Sequence, residues 1–255
     1  MLPGPCRVHE EEVTEVTYTS LLHGDALVDT QVNARAWNSI AAQKPVGDGP
    51  PQKGTVPDDI EWTCWPGHGP GAAFLGDLVG RRVAELGCGT GEHTAYAAAR
   101  GARLALGVDI AVGRIQQARA RFGHLPAAIW TVGDAAEVLA RLPRLDACFS
   151  IYGALWYSDP ARLLPVIRNR LKPGGLLAFT VNAPRPAELP GRRVDNLTLD
   201  TGARLPVVHY SYDVDAWRQL LTASGLTTDT VLTVDDPVGR CYRTLVLRAR
   251  RPVEE

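Results

Sequence analysis

"VAELGCGTGEHT", Val83–Thr94, sets three glycines at alternate positions directly after a short apolar run. Gly87, Gly89 and Gly91 can adopt positive φ, and they carry no side chain to hold a ligand away from the backbone. In an open parallel sheet such a turn lies where the first strand passes into its helix, beyond the carboxyl ends of the strands, where ligands bind. The spacing is G-x-G-x-G, not the G-x-G-x-x-G of a dinucleotide turn, and the G-K-[ST] of a phosphate loop is absent. Glu85 precedes the glycines, and no Lys or Arg stands between Val83 and Thr94. A pyrophosphate would be repelled there, whereas a ligand carrying an ammonium and a sulfonium would be attracted.

Outward from this turn the chain alternates apolar runs with helix-like segments. "RRVAELG", "RLALGVD", "AAIWTVGD", "LDACFSIY" and "GLLAFTV" read as strands. Strands alternating with helices imply parallel βαβ units. "DPARLLPVIRNRL" carries Asp159 as N-cap, Pro160 at the first helical position, and Leu163, Leu164, Ile167 and Leu171 on one face. "DVDAWRQLLTASGL" reads as a late helix, with "TVLTVD" and "CYRTLVLRA" as closing strands. Upstream, Val32, Ala36 and Ile40 predict a short amphipathic helix, and "KPVGDGPPQKGTVPDD" is too rich in breakers for anything but a loop.

Asp109 ends the second run, about twenty residues past the glycines, where a carboxylate accepts hydrogen bonds from ribose hydroxyls; NAD would suit it equally. Asp134 ends the third run, placed to accept from an adenine amino group with Ala135 N–H beside it, or to cap the next helix. S-adenosylmethionine fits this set.

Composition narrows the rest. The 255 residues carry 27 Lys and Arg against 28 Asp and Glu, so no basic field gathers a nucleic acid. The five cysteines show no metal-ligand or disulfide spacing, and no run approaches the roughly 18 apolar residues of a membrane span. A cytoplasmic, metal-free protein acting on a small molecule is the expectation, with oligomeric state open.

In their order, "VAELGCGTG", "VDI", "GDAAEV", "LDACFSIYGALWYSDP" and "LKPGGLLAFT" resemble the class I S-adenosylmethionine-dependent methyltransferases over roughly residues 78–250. The resemblance implies a doubly wound, Rossmann-like α/β fold whose seven-stranded sheet is parallel except for its last strand. It places methionine near Gly87, Cys88 and Gly89, ribose on Asp109, and adenine beside Ile110, Asp134 and Ala135. Glu85 and the backbone of Ser150 and Ile151 would lie close to the ligand's ammonium. The chain departs from nucleic-acid amino-methylating enzymes, having "SIYGALWY" in place of [DNS]-P-P-[YF], and lacks the paired-glutamate loop of protein arginine methyltransferases. The small-molecule branch remains, and "GALWYSDP" resembles wording in bacterial enzymes of specialised metabolism.

On the acceptor side the sequence offers candidates without a motif. A domain at 78–255 with an insertion at 183–208 follows a segment at 1–77, expected to form a helical lid and part of the acceptor pocket. His209, just after the insertion, is the first candidate for a general base and His68 the second; Tyr152 is a further catalytic candidate, and His93 is expected to support the glycine turn. Trp37, Trp65, Trp156 and Tyr210 are expected to contact an apolar or aromatic acceptor, with a core role open for each tryptophan; Trp62 is considered with them. Trp130 and Trp217 read as core. Two rivals stand beside methyl transfer: a non-catalytic module that keeps the fold, and an NAD-dependent oxidoreductase.

Overall fold

A computed structural model describes residues 26–43, 53–185, 188–239 and 243–253. Seven strands form one sheet: β1 (Arg82–Leu86), β2 (Leu104–Asp109), β3 (Ala128–Val132), β4 (Leu145–Ile151), β5 (Leu171–Asn182), β8 (Thr227–Asp235) and β9 (Arg243–Arg250). Their order is β3-β2-β1-β4-β5-β9-β8. The pairs from β3 to β5 are parallel, and β9 runs antiparallel to both its neighbours. Strand order reverses between β1 and β4, so the crevice above their carboxyl ends is where such a sheet takes a ligand. The apolar runs become strands because a parallel sheet is covered on both faces; in β1, four consecutive residues are buried.

The helices are α1 (Ala26–Ala42), α2 (Glu92–Ala99), α3 (Val112–Phe122), α4 (Ala135–Leu139), α5 (Ala154–Tyr157), α6 (Pro160–Arg170) and α7 (Val214–Ala223). Asp159 caps α6 through Ala161 N, Asp213 caps α7 through Ala216 N, and Asp134 caps α4 through Ala136 N and Glu137 N. Among the described residues no helix is long and apolar enough to cross a membrane.

Two clusters bury the faces of the sheet. One joins Leu86, Val108, Cys148 and Phe179 to Leu163, Ile167, Trp217 and Leu221 of the helices. The other packs Ile60, Trp62, Phe74, Leu75 and Leu78 against Val83, Tyr96 and Phe149. Ile60, Trp62, Phe74 and Leu75, which fall within the segment expected as the lid, are thus buried against the sheet: Trp62 is fully buried, with its indole N–H donated to Gly71 O at 2.8 Å. Trp130 and Trp217 are core as the sequence indicates.

The segment expected as an insertion is an antiparallel hairpin, β6 (Gly191–Thr198) with β7 (Arg204–Ser211). Helix α1 is fastened to it. Asn33, 2% exposed, donates to Val208 O and accepts from Val208 N, at 2.9 and 2.7 Å, and donates to Tyr157 O at 2.9 Å. Asp29 takes a bidentate pair from Arg192 and a hydrogen bond from the Tyr210 hydroxyl at 3.0 Å. From the other end, α1 meets α3: Gln117 donates to Ala41 O at 3.2 Å.

Candidate active site

Above the carboxyl ends of β1, β2, β3 and β4 lies a cavity of about 290 Å³, closed on one side by Thr30, Asn33 and Trp37 of α1. Glu85 and the glycine turn form its floor. The turn is held by Gly87 N and Cys88 N, which both donate to Val108 O, and by Gly91 N, which donates to Cys88 O. All three glycines have positive φ. A Cβ on Gly87 would stand 2.6 Å from Gly153 Cα, and one on Gly91 2.6 Å from the Trp130 indole nitrogen; one on Gly89 would meet nothing within 4 Å. Gly89 is thus the glycine that leaves room for a ligand, while the other two admit neighbouring protein.

Glu85 is 3% exposed, yet no Lys or Arg pairs with it among the described residues. It accepts from the Thr94 hydroxyl at 2.5 Å and lies 3.4 Å from His93 Nδ1. Burial works against charge on His93, but the hydrogen bond and negative charge of Glu85 prevail and raise its pKa above the ordinary value. Asp109 accepts from Gly89 N and Ala111 N, each at 2.8 Å, and burial raises its carboxyl pKa despite those bonds. Each of its oxygens keeps acceptor capacity for a hydroxyl. Burial pushes the Cys88 thiol well up, so it lines the cavity as a small neutral group.

Asp134 also lines the cavity, and Arg162 grips it with two bonds of 2.8 and 2.9 Å. Sequence reasoning missed Arg162, since a polar residue on the outer side of an amphipathic helix carries no mark of its partner. It missed Thr30, Asn33 and Arg114 for the same reason: their place in the wall depends on packing between distant elements.

Of the other expected residues, Ile110, Ala135, Ile151, Tyr152 and Trp37 line this cavity together with His93. Ser150 lies behind it, fully buried, donating its hydroxyl to Leu86 O at 2.7 Å and accepting from Leu155 N. It ties β4 to β1, and the residues that follow it form the wall. Tyr152 is the one non-glycine with positive φ among the described residues, and its hydroxyl is 2.5 Å from Thr244 Oγ1. Burial pushes that phenol up to about 12, so it stays protonated at neutral pH. Tyr210 lines neither this cavity nor the second one below, because its hydroxyl is committed to Asp29. Trp65 is half-buried and likewise outside both, and His68 is exposed.

His209 and Trp156 line a second cavity of about 440 Å³ beside the first. The two meet where the Tyr152 and Trp156 rings touch, with centroids 5.9 Å apart. Trp156 also packs on Tyr157, whose ring meets Trp37 of α1 at 5.2 Å. The aromatic candidates thus gather at the boundary of the two cavities, with the exceptions of Trp65 and Tyr210. Among the described residues no group of three or more His, Cys, Asp or Glu is placed to hold a metal ion.

Comparison with known proteins gives a consistent result. Residues 83–175 match the family described as a methyltransferase domain. The trans-aconitate 2-methyltransferase of Methylobacterium nodulans is 34% identical over 158 residues, 58% of this chain and 58% of that protein. The chain thus spans less than two thirds of that curated relative's length. A solved candidate S-adenosylmethionine-dependent methyltransferase from Listeria monocytogenes matches with TM-score 0.58 and 20% identity, over 71% of this chain and 95% of that one. One from Mesorhizobium loti matches with TM-score 0.53 and 23% identity, over 70% and 94%.

Proposed function

We propose that the protein transfers a methyl group from S-adenosylmethionine to a small organic acceptor, a reading supported by the match of residues 83–175 to a methyltransferase domain and by a fold shared with solved S-adenosylmethionine-dependent methyltransferases. The observation that carries this reading is the buried Glu85 carboxylate, unpaired with any Lys or Arg among the described residues, in the floor of the first cavity. A carboxylate held out of water is costly without a cation, and a ligand's ammonium supplies one. The open space beside Gly89 admits the ligand's chain. Asp109 and Asp134, at the ends of β2 and β3, are set to accept from ribose and adenine, with Arg162 fixing Asp134 in place. Helix α1, with Thr30, Asn33 and Trp37, acts as the lid.

When bound, S-adenosylmethionine supplies a methyl group already activated on a sulfonium. The protein's share is alignment and exclusion of water. Gly89 and Glu85 bind and orient, Tyr152 and Trp37 wall the pocket with aromatic surface, and α1 with the β6–β7 hairpin closes it. The curated relative's name points to trans-aconitate as that enzyme's acceptor, and "GALWYSDP" alone suggested specialised metabolism.

Thermal unfolding with S-adenosylhomocysteine, NAD or GTP tests the reading. Stabilisation by S-adenosylhomocysteine alone is expected. Stabilisation by NAD alone would return the turn to a dinucleotide, and binding of S-adenosylhomocysteine with no methyl transfer to any of a broad metabolite set would favour a non-catalytic module.

A further inference from the structure

The second cavity opens between the ends of β5 and β8, the start of β9 and the β6–β7 hairpin. His209 lines it with a side chain only 8% exposed. Among the described residues its ring makes no hydrogen bond; Asp195 Oδ2 stands 3.8 Å from Nδ1, and the Trp156 ring packs on it at 5.3 Å. The His209 nitrogens are not among the fully enclosed polar atoms without a partner, so they open on to this cavity, where a bound molecule can pair with them. Trp156 lines this cavity, and its ring touches that of Tyr152, which lines the first.

We propose that the second cavity holds the methyl acceptor, and that His209, oriented by Asp195, takes the proton from a hydroxyl or ammonium nucleophile. This rests on the methyl-transfer reading above and names the class of its acceptor. The negative charge of Asp195, 3.8 Å from Nδ1 and short of a hydrogen bond, biases the proton towards Nδ1 and leaves Nε2 to accept. Burial keeps the ring below its ordinary pKa, prevailing over the negative charges of Asp195 and Glu188, while Arg185 and Arg193 act in the same direction as burial. The ring is therefore neutral, and able to accept, at pH 7.

In the step, the acceptor's proton passes to His209. The oxygen or nitrogen lone pair forms a bond to the methyl carbon, and the carbon–sulfur bond breaks with its electron pair returning to sulfur as a neutral thioether. His209 then releases its proton to water. A carboxylate acceptor needs no base. Glu188, Asp195 and Asp235 line the wall as well as Arg185 and Arg243, so it offers a polyanion no surplus of positive charge.

The test follows the His209 imidazole signals by NMR in protein loaded with S-adenosylhomocysteine, assigned with His209→Gln. Tyramine, catechol and benzylamine are titrated against trans-aconitate and benzoate. At least one of the first three is expected to shift His209 saturably while the two carboxylates leave it unmoved. A shift by the carboxylates alone, or by no probe, overturns the proposal. With the probe that binds, His209→Gln is expected to lower methyl transfer by about 100-fold or more, the range of a general base. It should also abolish the acid limb of the pH profile and keep the affinity for S-adenosylhomocysteine within about twofold; Asp195→Asn should show a smaller loss. Undiminished transfer by His209→Gln overturns the proposal. Failure of the parent protein to bind S-adenosylhomocysteine is a separate outcome that removes the underlying reading and the proposal with it.

Discussion

The three glycines of the turn meet different surroundings, and substitutions should separate them. A methyl group on Gly89 enters open cavity at φ 52°, so the cost in stability is the left-handed backbone, about 1–2 kcal/mol. On Gly87 it would press into the backbone of Gly153 and Ala154 as well. Gly89→Ala is expected to fold, with a modestly lower urea midpoint and at least tenfold weaker binding of S-adenosylhomocysteine. Gly87→Ala should lose far more stability; the opposite order in urea would contradict the geometry. The sequence could not rank these glycines, because their difference lies in what packs against them from β3, α3 and the turn after β4. The pair Glu85–His93 gives a pH dependence. Protonated His93 offsets the charge on Glu85, so affinity for S-adenosylhomocysteine should fall as pH drops through the raised pKa of His93, and His93→Gln should flatten that profile. The effect on folding has the opposite sense: with its folded pKa raised, His93 stabilises fully below its unfolded pKa of about 6.5, and this is lost as pH rises through the folded value. Urea unfolding of the ligand-free parent and His93→Gln at pH 6 and pH 8.5 checks the sign.

At the level of elements, α1 and the β6–β7 hairpin are joined as one cap by Asp29, Arg192, Tyr210 and Asn33. Asp29 and Arg192 are 4% and 18% exposed in their side chains, so removing one partner strands a buried charge. Asp29→Ala or Arg192→Met alone should cost about 3 kcal/mol, and the double variant should recover much of that. A double variant as unstable as the sum of the two would show that the pair does not act as a unit. Helix α1 was legible from Val32, Ala36 and Ile40 at helical spacing. The hairpin was not: its first strand is half-buried or exposed at every position, so no alternation marks it. Tyr210, expected at the acceptor, was misplaced for a related reason, since nothing in a strand's sequence reveals that its hydroxyl meets a carboxylate 181 positions away.

Across the whole molecule, the parallel part of the sheet was readable because strands buried on both faces give unbroken apolar runs, and the glycine turn marks the first of them. Glu85, Asp109 and Asp134 lie at or just past the ends of consecutive strands, so topology alone brings them to the wall of one cavity. The Ser150 side chain points back into the sheet while Ile151 and Tyr152 face the cavity, so what its backbone offers a ligand is set by the residues beside it. The acceptor side depends on where a hairpin, a helix and several loops converge, and there the sequence supplied His209 and Trp156 as single residues without their cavity. The second cavity lies beside the first, with the touching Tyr152 and Trp156 rings between them, a layout that fits the proposed two-substrate transfer. All of this rests on the first cavity receiving S-adenosylmethionine through the carboxylates on the strand ends. Calorimetric titration of the parent protein and Asp109→Ala with S-adenosylhomocysteine tests it most directly. Saturable binding by the parent, weakened at least tenfold by the substitution, is the predicted result; equal binding by both, or none by the parent, would contradict it.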